Sequence, residues 1–81
     1  MDESELLGSI RQMVADEHRI RSQIERGGTD AAAARAQLTD LQESLDQCWD
    51  LLRQRRAKQE FHQDPDQAEL RPKEVVEKYW S

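Results

Sequence analysis

The sequence predicts an all-α chain: an antiparallel, coiled-coil-like helical hairpin with a short helical C-terminal tail, paired with a second copy into a four-helix bundle. Three observations predict it. Two stretches carry apolar residues at steps of three and four, a Gly-Gly pair separates them, and the two stripes mirror each other about that break. Composition agrees. Of 81 residues, 36 % are hydrophobic, 36 % charged and 5 % aromatic, with a mean hydropathy of −1.02. That balance suits exposed helices better than a compact β domain, and the length leaves room for one small domain.

The first helix is expected over residues 3–26. Leu6, Ile10, Met13, Ile20 and Ile24 form its stripe, with Glu17 filling the gap. Asp2 and Glu5 have the spacing of a capping box. Asp16 with Arg19 and Glu17 with Arg21 are opposite charges one turn apart. Gly27-Gly28-Thr29 breaks the pattern, because glycine tolerates the left-handed backbone that ends helices. Thr29 is the expected N-cap of the second helix, with Asp30 at its positive end.

The second helix is expected over residues 30–60. Ala31, Ala34, Leu38, Leu41, Leu45, Cys48 and Leu52 carry its stripe. Opposing seam positions pair Ile24 with Ala34, Ile20 with Leu38 and Glu17 with Leu41. Met13 then meets Leu45, Ile10 meets Cys48 and Leu6 meets Leu52. This mirror relation is what an antiparallel hairpin requires. The tail, residues 62–81, is broken before Pro65 and Pro72, and each proline suits the opening of a short helical turn. Val75, Val76, Tyr79 and Trp80 would share one face.

Two helices with one seam bury little, and apolar residues remain outside it. Leu7 and Val14 lie one step off the first stripe, and Trp49 one step off the second. These three are the expected association surface, with Val76, Tyr79 and Trp80 as a docking tail. A homodimer is the expected assembly, with the tail packing on its own or the partner hairpin and a larger protein as a further partner.

The net charge of −5 repels nucleic acid and anionic lipid from the chain as a whole. The only basic cluster, Arg53, Arg55, Arg56 and Lys58, is the candidate anion site and carries the alternative reading, a nucleic-acid or phosphate-binding regulator. No catalytic residue, metal or cofactor is expected. Cys48 reads as a small seam hydrophobe, His18 lacks a partner at ligand spacing, and Glu17 reads as a register-setting polar residue beside Arg21. One cysteine allows no intrachain disulfide. The acidic N-terminus is unlike a signal peptide, and the longest apolar run, Ala31–Ala34, is far short of a membrane span. The expectation is a soluble, cytoplasmic, non-enzymatic interaction module.

The block Leu45-Asp46-Gln47-Cys48-Trp49-Asp50-Leu51-Leu52-Arg53-Gln54-Arg55-Arg56 is distinctive. So are Met13-Val14-Ala15-Asp16-Glu17-His18-Arg19-Ile20-Arg21 and the ending from Arg71-Pro72 to Trp80. Together they resemble the short, uncharacterised actinobacterial proteins grouped as domain of unknown function 2630. The resemblance covers nearly the whole chain and implies a small cytoplasmic bacterial protein. It carries over no activity, ligand or catalytic residue.

Overall fold

In the computed structural model the described residues are 2–27 and 30–80, with Trp80 described in its backbone. Helix α1 spans Glu3–Arg26, α2 spans Ala31–Glu60, a 3-10 turn spans Pro65–Gln67 and α3 spans Lys73–Trp80. The described residues form no strand.

Local chemistry explains each boundary. The Asp2 carboxylate accepts from the Glu5 N–H at 2.8 Å and caps α1. Gly27, at φ 69°, ends α1 in the left-handed region, and its N–H donates to the Ile24 carbonyl. The cap of α2 is Asp30, which accepts from the Ala32 and Ala33 N–H groups. The sequence places Thr29 in that role. Thr29 lies outside the described residues, and Asp30 meets the need because its carboxylate reaches two unpaired N–H groups.

The far end of α2 closes differently. The Gln63 N–H donates to the Lys58 carbonyl and the His62 N–H to the Gln59 carbonyl. This is the crossed pair of bonds that normally follows a helix with glycine in the left-handed position. Here that residue is His62, at φ 58°. Asp64 caps the 3-10 turn, with Pro65 in its first position. The Pro72 carbonyl accepts from the Val75 and Val76 N–H groups, so Pro72 precedes the first turn of α3.

Helices α1 and α2 pack along most of the predicted stripes, though Ala31 is exposed and Leu51, off the stripe, is buried. Leu6, Ile10, Leu45, Leu51 and Leu52 form the main buried cluster, with Leu7, Met13, Cys48 and Ala68 packed against it. Ile20 and Ala34 are buried toward the loop end. Glu17 sits half-buried in its gap and pairs with Arg21 at 3.3 Å.

The tail turns back along α2 on the side away from α1. Among the described residues α2 touches α1, the 3-10 turn and α3, whereas α1 and α3 do not touch. The elements therefore form a single row with α2 in the middle. The row measures 50 × 25 × 15 Å, and the radius of gyration is 15.0 Å. A compact domain of this length has a radius of gyration of about 12 Å. The accessible surface is 5762 Å², against about 5,000 Å² for a compact monomer of this mass.

Candidate functional site

Helix α2 works on two faces, and the second face holds the tail mainly through polar groups. Asp50 is buried at 7 % exposure. The Arg71 guanidinium grips it from outside, with Nε donating to Oδ2 at 2.9 Å and Nη2 to Oδ1 at 2.8 Å. Such a two-bond fork is the strongest common ion-pair geometry. The hydrogen bond to Asp50 raises the Arg71 pKa further above its already high ordinary value. The Gln54 amide donates to Asp50 Oδ2 and to the Glu69 carbonyl, and the Gln47 amide donates to the Arg71 carbonyl. Two α2 glutamines thus satisfy backbone carbonyls of an extended segment that has no helix to serve it. Lys73 pairs with Asp40, and that hydrogen bond raises the Lys73 pKa.

Apolar contact adds to this strap at one point above all. Val76 is 1 % exposed. At the other end of the strap, Arg55 is buried and its Nη1 donates to Asp66 at 2.9 Å and to the Pro65 carbonyl at 3.3 Å.

The residues expected to drive association fall in three settings. Leu7 is half-buried against the core cluster. Val14 and Trp49 are each 39 % exposed. Helical spacing from the seam puts Leu7, Val14 and Trp49 on one side of the row. Val76 is buried within the chain itself, which takes it out of any external surface. Tyr79 is exposed, with the Arg71 guanidinium 5.8 Å from its ring centre, within range of a cation–π contact. The side chain of Trp80 lies outside the described residues.

The basic cluster does not stay together. Arg55 faces the 3-10 turn, as above. Arg56 pairs with Glu3 across the hairpin at 3.3 Å. Arg53 is exposed and makes contacts of its own. Lys58 lines a groove with Arg71. A run of cations along a helix spreads around its circumference at 100° per residue, so adjacency in sequence did not become one patch. Cys48 is half-buried, and desolvation pushes its thiol pKa up, away from thiolate chemistry. His18 is exposed. Among the described residues no group of three or more His, Cys, Asp or Glu could hold a metal ion, and no helix is long and apolar enough to cross a membrane.

Sequence reasoning missed Asp50, Arg71, Gln47 and Gln54. Their signal was present but easily misread. Asp40, Glu43, Gln47, Asp50 and Gln54 recur at steps of three and four opposite the seam, which ordinarily marks a face turned to water.

These features define a small acidic helical hairpin carrying a back-folded tail. The chain belongs to the family described as "Protein of unknown function (DUF2630)", which matches residues 2–81. It is 46 % identical over 77 residues to uncharacterized proteins of Mycobacterium tuberculosis and Mycobacterium bovis, covering 95 % of this chain and 88 % of each relative. No solved structure matches.

Proposed function

We propose that the chain is a non-enzymatic protein–protein interaction module of the bacterial cytoplasm. It pairs with a second copy through the side that carries Leu7, Val14 and Trp49, forming a coiled-coil-like four-helix bundle that serves as an adaptor. The observation that carries this reading is the single row of helices. Stable domains bury apolar stripes between two packed layers, and this row leaves Trp49 and Val14 partly in water on its open side. Tryptophan there is a strong anchor for a protein interface, and pairing about a two-fold axis would supply the second layer.

Light scattering and sedimentation on the purified chain should return twice its 9.5 kDa mass. Trp49→Asp should return the single-chain mass with helical circular dichroism retained. Should that variant unfold, Val14→Asp on the same side provides the second test. A wild-type chain that is monomeric across the micromolar range defeats the reading. The nucleic-acid alternative would show as steeply salt-dependent binding of a labelled duplex; dispersal of Arg53, Arg55, Arg56 and Lys58 argues against it.

A further inference from the structure

We infer a small-molecule site in the groove where the end of α2 meets the returning tail, built to hold an oxyanion attached to a flat aromatic group. Gln54, Ala57, Lys58, Phe61, Gln63 and Arg71 line this groove, whose volume is about 310 Å³. That lies at the small end of the range for ligand pockets.

Charge is the first support. The chain carries −5 overall, yet the groove is lined by two cations and no carboxylate. A second groove, between Glu43 and α3, is lined by Glu43, Lys73, Glu74 and Glu77, so the contrast is local. Among the described residues no ion pair holds Lys58. Arg71 is oriented in advance, because Nε and Nη2 are fixed on buried Asp50, which leaves Nη1 as the edge not committed to that fork. Gln54 already donates both of its amide N–H bonds, to Asp50 and to the Glu69 carbonyl, so it walls the groove and leaves the anion to the two cations. A cation held before a ligand arrives loses little entropy when it binds.

The aromatic half comes from Phe61. It is 72 % exposed, and its backbone N–H donates to the Ala57 and Gln59 carbonyls. The ring is therefore carried into water by a fixed main chain. The next residue, His62, holds a left-handed backbone where glycine is the unstrained choice. That turn directs the chain so that Gln63 joins the lining. Backbone strain of this kind persists where surrounding structure enforces it, often at binding sites.

The inference does not rest on the association reading. Lys58 follows Trp49 by nine residues, which at 100° each places it on the opposite side of α2. Phenyl phosphate is a suitable probe, titrated into the full chain while amide resonances are followed by NMR. Saturable shifts should centre on Phe61, Gln63 and the Gln54 side chain. Inorganic phosphate should bind several-fold more weakly, since it lacks the ring. Lys58→Gln and Phe61→Ala each replace a side chain outside the core, and each should weaken phenyl phosphate about tenfold, a loss of about 1.4 kcal/mol. No saturation by ~10 mM phenyl phosphate, or affinity unchanged in both variants, overturns the proposal. Shifts centred on Arg53 and Arg56 in place of Phe61 and Gln63 would overturn it as well.

Discussion

The two faces of α2 are held by different physics. Toward α1 the contact is a stripe of leucine and isoleucine, with Leu6 at 0 % and Leu52 at 2 % exposure. Toward the tail it is an ion-pair fork, two glutamine–carbonyl bonds and one buried valine. The first kind of contact is non-directional, is not screened by salt and grows with area. The second depends on geometry, is partly exposed, and weakens as salt screens it. The hairpin should thus be the more durable part of the molecule, and the tail the element that opens first. Local opening with a free energy well below global unfolding is the general behaviour of segments with few buried apolar contacts.

Truncating the seam gives the largest expected effect. Leu6→Ala removes a fully buried side chain and should cost about 3 kcal/mol. For a domain of this size that is a fall of roughly 15 °C in melting temperature by circular dichroism. Hairpin and tail should melt together, because α2 is shared.

Truncating the strap should separate the two regions. Arg71→Ala leaves Asp50 buried without its guanidinium partner. The loss should be smaller than that of Leu6→Ala, because the Arg71 side chain is 41 % exposed and water screens the pair. Hydrogen exchange should show amides of residues 74–80 losing protection while seam amides of α1 keep theirs. Asp50→Ala with Arg71→Ala should be less damaging than the two single changes added, since the double variant leaves no carboxylate buried without its partner. Equal loss of protection in α1 and α3 would show that the two faces form one cooperative unit.

The same contrast explains what the sequence revealed. The all-helical class and the seam were legible because large apolar residues at helical spacing have few alternatives to burial together. Leu6, Ile10, Leu45 and Leu52 all reach the core. The tail's path was hidden because its partners on α2 are polar, and a stripe of Asp, Glu and Gln reads as solvent-facing. Arg55 shows the difficulty most clearly. It lies within a basic run that suggests an exposed cationic face, yet it is 5 % exposed and bonded to Asp66. Only the fold of residues 61–66 brings that carboxylate to it. Val76 belonged to a tail expected to pack on its own or a partner's hairpin, and it is its own α2 that buries it.

A smaller gain is expected at the junction between the regions. His62 adopts a backbone that costs an L residue about 1–2 kcal/mol, partly offset in a glycine variant by greater freedom in the unfolded chain. His62→Gly should stabilise the chain by about 0.5–1 kcal/mol net, read as a higher melting temperature. If this strain serves the groove beside it, stability and phenyl phosphate affinity should move in opposite directions in that variant.

The finest test of the polar face concerns Glu77, where the strap holds a conflict of its own. Partial burial against α2 raises the Glu77 pKa, and nearby Asp46 and Glu43 raise it further, against a smaller opposing pull from Lys73. Glu74, on the same helix, lines the same groove. A carboxyl whose pKa is raised in the docked state binds its proton more tightly docked than free. Its contribution to docking is therefore full below the ordinary carboxylate value and is lost as pH rises through the raised one. Protection factors for residues 74–80 should fall over that interval, while those of the leucine seam should stay level. Glu77→Gln removes the charge and its repulsion by Asp46 and Glu43. Protection of α3 at neutral pH should then rise above wild type, and the fall across the carboxylate range should flatten. A slope that survives Glu77→Gln would transfer the conflict to the remaining carboxylates facing α3, of which Asp46→Asn is the next to test.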